Sequence, residues 1–114
     1  MISIETFQKL SLSFPNTTEE PHFHKTSFRI KGKIFATLEK ETGIACIMLS
    51  PKDQSVYCLI DPTVVYPVPN KWGLKGSTYV VLKKVKKKIL FEMLISAYCK
   101  VAPTHLAQKI IVHK

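Results

Sequence analysis

The stretch that most constrains the fold is residues 64–88, VVYPVPNKWGLKGSTYVVLKKVKKK. Pro67 and Pro69 donate no backbone hydrogen bonds, so a strand that enters them must end there or lie at a sheet edge. The two prolines and two glycines predict a rigid loop over residues 70–76. Residues 77–82 are rich in β-branched side chains and predict a second strand, which leads into the start of a helix.

Hydrophobic periodicity predicts the elements that precede this stretch. Residues 3–14 carry apolar side chains at helical spacing after a capping Ser3, which predicts a first helix. Residues 16–24 are mostly polar and predict a turn followed by an extended lead-in. Two strands joined by the Lys31-Gly32 turn come next, since glycine readily adopts the positive φ that a two-residue hairpin needs.

Four further segments complete the prediction. The apolar run at residues 44–49 predicts a central strand buried on both faces. Residues 50–60 begin with Ser-Pro-Lys-Asp, a good capped start, and therefore predict a short helix. The apolar residues expected on its inner face are Val56, Tyr57, Leu59 and Ile60. Residues 86–101 predict the clearest helix, and residues 106–111 predict a short amphipathic piece or a tail.

The predicted order of elements is α-β-β-β-α-β-β-α. Meandering strands combined with helices are typical of the α+β class. We therefore expect a two-layer sandwich, in which one antiparallel sheet of about five strands carries the helices on one face. A chain of 114 residues, 46% of them apolar, can build one core, so residues 1–114 are expected to form a single domain.

Positive charge is concentrated in the second half of the chain. Residues 1–60 carry seven cationic and six anionic side chains, whereas residues 61–114 carry ten and two. The net charge of +9 therefore arises almost entirely from residue 61 onward. Such asymmetry indicates an anionic partner, which could be nucleic acid, an acidic protein or a membrane surface. No run of 18 apolar residues occurs, so we expect no membrane span. Of the three anionic partners, we expect nucleic acid or an acidic protein, and no membrane.

Enzyme motifs are absent from the sequence. It has no glycine-rich phosphate loop, nucleophile elbow or paired catalytic carboxylates, so we expect a binding protein without a cofactor rather than an enzyme. His22 and His24 supply too few ligands for a metal. The spacing of the three cysteines, Cys46, Cys58 and Cys99, matches no metal motif. We expect them to be reduced thiols. The N-terminus lacks the pattern of a secretory signal, so the expected compartment is the cytoplasm.

The order of elements and three sequence segments resemble the MmcQ/YjbR family. The segments are KIFAT in the second strand, YPVPNKWGLKG in the loop and AYCKVAP at the end of the long helix. The resemblance covers about residues 3–110 and implies a compact α+β fold similar to secretion-chaperone and CyaY-like architectures. It also implies DNA binding, with paired β-hairpins as wings. Two departures stand out: the loop lacks the His that many relatives carry, and Ser77 stands where this branch often has an aromatic residue.

A lysine cluster surrounds the expected start of the last helix. Its members are Lys83, Lys84, Lys86, Lys87 and Lys88. A helix start is the positive end of the helix dipole, so each exposed cation there is disfavoured by about 0.3–1 kcal/mol. Free helical N–H groups beside several ammonium groups can bind a phosphate or carboxylate. The cluster is therefore either an anion-binding corner or a solvated run that aids solubility.

Two smaller groups of residues are further candidates for nucleic-acid contacts. In the first, Lys71 and Lys75 flank Trp72, whose indole either stacks on a base or folds back as a lid on the core. The second group is the tip of the Lys31-Gly32 hairpin, which is placed to reach phosphates and is expected to contribute less. Its residues are Arg29, Lys31 and Lys33.

The function expected from these features is non-specific binding of nucleic acid through phosphates, with duplex DNA as the main candidate. Arg29 is the only arginine, and arginine is the main reader of guanine edges, so base-specific recognition should be poor. The alternative is a protein-interaction adaptor for an acidic partner, which would use the sheet face or residues 64–76. A monomer is expected in either case.

Overall fold

The structure is a computed structural model, and it describes residues 2–112, with only the backbone described for residues 111 and 112. Its helices and strands are, in chain order, α1 (Ile4–Leu12), β1 (Thr17–His22), β2 (Lys25–Ile30), β3 (Lys33–Glu39), β4 (Ile44–Met48), α2 (Pro51–Cys58), β5 (Val65–Pro67), α3 (Lys71–Leu74), β6 (Ser77–Val81), α4 (Lys87–Val101) and α5 (Thr104–Val112).

The strands form one antiparallel sheet in the order β1-β2-β3-β4-β6-β5. The predicted α+β class is confirmed, but within residues 2–112 the sheet has six strands rather than about five. The additional strand is β1, which pairs with β2 from Thr17↔Ile30 to His22↔Lys25. Its sequence, TTEEPH, has no apolar alternation, so only its backbone hydrogen bonds to β2 identify it as a strand.

Helices α1 and α4 cover one face of the sheet and enclose the core. Phe7 of α1 meets Phe28 of β2 edge to face, with ring centroids 5.5 Å apart. Tyr98 of α4 packs in the same way on Phe35 of β3, at 5.6 Å. The Tyr98 hydroxyl also donates to the Pro15 carbonyl at 2.6 Å, so α4 is tied to the segment that follows α1. Among residues 2–112, no helix combines the length and apolar character needed to cross a membrane.

The two ends of the sheet carry different loops. The pair Ile44↔Val81 marks one end, called here the Ile44 end, and the pair Met48↔Ser77 marks the other, the Met48 end. Helix α4 begins at the Ile44 end, since the N–H of Val85 donates to the Val81 carbonyl directly after β6. Helix α3 lies at the Met48 end, between β5 and β6. These positions decide which of the charged side chains can act together.

Helix α2 confirms its predicted cap but not its predicted inner face. The Ser50 hydroxyl accepts from the Asp53 N–H at 3.1 Å, as the sequence indicates. Three of the four residues expected inside are exposed instead, and only Tyr57 is half-buried. The buried position belongs to Gln54, whose amide donates to the carbonyls of Gly73 and Ser77 at 2.9 and 3.0 Å. Polar residues usually stay exposed, so sequence hydropathy could not identify Gln54 as the buried residue.

Candidate nucleic-acid interface

The start of α4 is the most strongly cationic feature of the fold. Lys86 is the N-cap residue and provides no side-chain cap, and the first turn contains no acidic residue. The starts of α1 and α2, by contrast, are capped by Ser3 and Ser50 and carry an acidic residue in the first turn. All members of the cluster are exposed, namely Lys83, Lys84, Lys86, Lys87 and Lys88. The α4 start therefore combines uncapped N–H groups with several exposed ammonium groups.

One carboxylate lies beside this cluster. Asp61 accepts hydrogen bonds from the N–H and the hydroxyl of Thr63, at 3.0 and 2.7 Å. These two bonds, with a smaller contribution from the charge of Lys84, hold the pKa of Asp61 below its ordinary value. Asp61 is therefore ionised at neutral pH, and it offsets one of the five lysine charges.

Trp72 lies at the Met48 end, in the short helix α3. The Asn70 side chain caps α3 by accepting from the Trp72 N–H at 2.8 Å. The indole is 54% exposed, so its interpretation as a lid on the core is wrong. The ammonium groups of Lys71 and Lys75 lie over the ring, 5.7 and 5.0 Å from its centroid. A base could stack on the occupied ring surface only if these ammonium groups moved away.

The loop that carries Trp72 is held by close backbone approaches. A Cβ on Gly73 would lie 1.8 Å from the Val68 carbonyl oxygen, and one on Gly76 would lie 1.8 Å from that of Leu49. Together with the two bonds from Gln54, these contacts fix the orientation of α3. Glycine and proline content predicts the rigidity of this loop, but no signal in the sequence identifies Gln54 as its anchor.

The β2–β3 hairpin confirms its predicted turn. Lys31 and Gly32 have φ values of 50° and 78°, as a two-residue turn of this kind requires. Lys31 and Lys33 are exposed at the Met48 end. Arg29 is half-buried, and its guanidinium donates to the Ser27 hydroxyl at 2.9 Å and to the Pro21 carbonyl at 3.4 Å. Arg29 is therefore already hydrogen-bonded within the sheet.

The predicted contact residues do not come together in one place. The lysines around the start of α4 lie at the Ile44 end, whereas the Trp72 group and the β2–β3 hairpin lie at the Met48 end. Successive strands of an antiparallel meander turn at alternate ends, and β6 crosses the sheet from the Trp72 loop at the Met48 end to the start of α4 at the Ile44 end. The predicted contact residues are therefore divided between opposite ends of the sheet.

The β1–β2 and β3–β4 hairpins both turn at the Ile44 end. They line a surface groove of about 580 Å³ that contains both acidic and basic side chains. Its charged residues are Glu19, Glu20, Glu41, Lys25 and Lys40, together with His24. His24 is hydrogen-bonded to Glu39 at 3.0 Å, and this bond lowers the pKa of Glu39. Positive charge therefore does not accumulate between these hairpins.

Within residues 2–112, no three His, Cys, Asp or Glu side chains are placed to hold a metal. Burial raises the pKa of the Cys46 thiol, and also that of Cys58, so both thiols stay protonated at neutral pH. This arrangement fits packing roles for Cys46 and Cys58.

Comparisons with known proteins agree with the fold. The model of a protein family described as YjbR matches residues 12–100. No curated protein matches the chain. Among solved structures, the chain is similar to Deinococcus radiodurans protein DR2400, which carries a DUF419 domain. The TM-score is 0.78 at 17% identity, and the superposition covers 96% of this chain and 88% of that one.

Proposed function

The chain belongs to the YjbR family, and from that premise we propose that it is a small basic module of the cytoplasm that binds nucleic acid, duplex DNA above all, without base specificity. The phosphates are held by the lysines around the start of α4. The paired hairpins contribute little as wings, because the groove between them contains three carboxylates against two lysines.

One observation carries this proposal, namely the composition of the α4 start. Cations at the positive end of a helix dipole destabilise the helix, and the lysines also repel one another. A Ser, Asp or Asn at the N-cap would stabilise α4 by about 0.5–2 kcal/mol, yet Lys86 stands there. A bound phosphate removes this penalty, because it accepts from the uncapped N–H groups and neutralises the ammonium charges.

The absence of base specificity follows from the residue types. Lysine binds phosphate as a point charge and lacks the planar fork with which arginine reads guanine. Arg29, the only arginine, is engaged with Ser27 and Pro21. Lys71 and Lys75 form a second, weaker contact region at the Met48 end. Binding should therefore depend on phosphate charge and fall steeply with salt.

The test is a titration of labelled mixed-sequence duplex DNA, followed by fluorescence anisotropy at about 50 and 200 mM salt. For about 4–6 phosphate contacts, the affinity should fall by about two to three decades between these salt concentrations. Replacing Lys86, Lys87 and Lys88 with Gln should lower the slope of log K against log salt by about 2–3.

The matched control removes the same charge from exposed lysines elsewhere, namely Lys9, Lys52 and Lys109. A third variant replaces Lys31, Lys71 and Lys75 and tests the Met48 end. We expect the largest loss for the α4 variant. Equal losses in all three variants would show that only net charge matters, and no binding at about 50 mM salt would remove the proposal.

A further inference from the structure

The outer face of α2 carries a stripe of exposed aliphatic side chains. Val56, Leu59 and Ile60 are 54%, 84% and 56% exposed. They stand at i, i+3 and i+4, so they share one side of the α2 helix and the turn that follows it. We call these three residues the α2 stripe. Gln54, Tyr57 and Cys58 face the protein instead.

The stripe continues into a cleft at the Ile44 end. Helix α2 ends there, because the Asp61 carbonyl accepts from the N–H groups of Val64 and Val65 at the start of β5. Ile60 forms one wall of the cleft, which has a volume of about 280 Å³. Its other apolar lining residues are Val64, Val65, Val85 and Ile89.

Charge at the rim of the cleft is mainly positive. Lys84 and Lys86 line it, and Lys83, Lys87 and Lys88 are their neighbours in the chain. Among the described residues, the one carboxylate at the rim is Asp61, which is engaged by Thr63. The surface therefore offers an apolar stripe, an apolar recess and an excess of cations side by side.

We propose that this surface binds an acidic amphipathic segment of another protein. One apolar side chain of the segment enters the cleft beside Ile60, and others cover Leu59 and Val56. Carboxylates that flank the apolar face pair with Lys84 and Lys86. Amphipathic helices are bound in this way, through apolar anchors at i, i+3, i+4 and i+7.

Other occupants match the surface less well. A second copy of this chain would bring a net charge of +9 against +9. A nucleic acid satisfies the lysines, but its sugar-phosphate backbone has no aliphatic face to cover the α2 stripe. A bilayer is nearly flat on this scale and would leave the recess between α2 and α4 unfilled. An acidic segment matches the stripe, the recess and the charge together.

This inference is independent of the proposed function, although the two share Lys84 and Lys86. Because both ligands need these ammonium groups, duplex DNA and the acidic segment should compete. The α2 stripe distinguishes them, since it contributes to binding of the segment only.

The test uses a fluorescein-labelled peptide of about 18 residues, with Leu at i, i+3, i+4 and i+7 and Glu at most other positions. A scrambled peptide of the same composition serves as the ligand control. The variant L59S/I60S should bind the amphipathic peptide at least about tenfold more weakly, because two aliphatic contacts are lost. The exposed leucines Leu12 and Leu74 supply the matched control variant, L12S/L74S.

We expect L59S/I60S, but not L12S/L74S, to lose affinity for the amphipathic peptide. The duplex affinity of L59S/I60S should stay within about twofold of that of the unmodified protein. The unmodified protein should bind the scrambled peptide at least about tenfold more weakly than the amphipathic one. K84Q/K86Q should weaken binding of both ligands. Equal peptide binding by L59S/I60S and L12S/L74S would overturn the inference. The inference would also be overturned if the peptide does not bind and the protein instead binds phosphatidylserine vesicles in a way that depends on Leu59 and Ile60. Circular dichroism confirms that each variant is folded.

Discussion

At the scale of single residues, Gln54 shows how a buried polar side chain holds a surface loop. Its amide nitrogen donates hydrogen bonds to two backbone carbonyls on the inner side of α2. One carbonyl belongs to α3 and the other to the first residue of β6. Without this donor both carbonyls would be less well satisfied in a largely buried position, which is costly. The exposure of Trp72 therefore depends on a residue 18 positions earlier in the chain.

Replacing Gln54 with Leu should destabilise the protein by about 2–3 kcal/mol, because the volume is kept while both hydrogen bonds are lost. Urea unfolding measures the free energy of unfolding. Ser55→Ala is the control, since Ser55 is exposed, and it should change this free energy by less than about 0.5 kcal/mol. Equal stabilities of the two variants would mean that Gln54 does not anchor the loop.

At the scale of elements, α4 combines a well-packed body with an unfavourable start. Its inner face contributes fully buried side chains to the core, among them Leu90, Met93, Leu94 and Tyr98. This packing stabilises the helix in spite of its uncapped first turn. Stability and anion binding should therefore respond in opposite directions to a change at Lys86.

Replacing Lys86 with Asp should stabilise the protein by about 1 kcal/mol, since a carboxylate at the N-cap accepts from the first free N–H groups. The same change should weaken duplex binding, because it introduces a negative charge among the lysines. Thermal unfolding and anisotropy measure the two effects. Lys86→Gln is the control, which removes the cation but adds a much weaker cap. A Lys86→Asp protein that keeps its DNA affinity would contradict the proposed contact site.

At the scale of the whole molecule, both edges of the sheet resist pairing with another chain. Edge strand β1 carries Glu19, Glu20 and Pro21, and edge strand β5 has only three residues and ends at Pro67. Charged residues, prolines and short length all protect an edge strand. The net charge of +9 adds repulsion between copies.

We therefore expect a monomer whose radius of gyration in small-angle X-ray scattering is close to the 12.9 Å of the Cα trace. The value should be the same at low protein concentration and at about 0.5 M salt, where charge repulsion is screened. A larger radius at high salt would show that charge, and not the structure of the edges, prevents association.

Patterns that depend on near neighbours in the chain could be predicted from the sequence. The cap of α2, the turn at Lys31 and Gly32, and the helical repeat of α4 each rest on residues a few positions apart, and each is confirmed. Strand β1 was missed because its polar sequence carries no alternation, and pairing with β2 alone makes it a strand.

The sequence by itself determined the α+β class and the concentration of lysines around the start of α4, since periodicity and charge are local properties. Only the tertiary structure decided that these lysines lie at the opposite end of the sheet from Trp72, and that α2 buries Gln54 while exposing Leu59. Strand register and helix rotation set those positions. Both depend on contacts between residues far apart in the chain, and local sequence patterns do not encode such contacts.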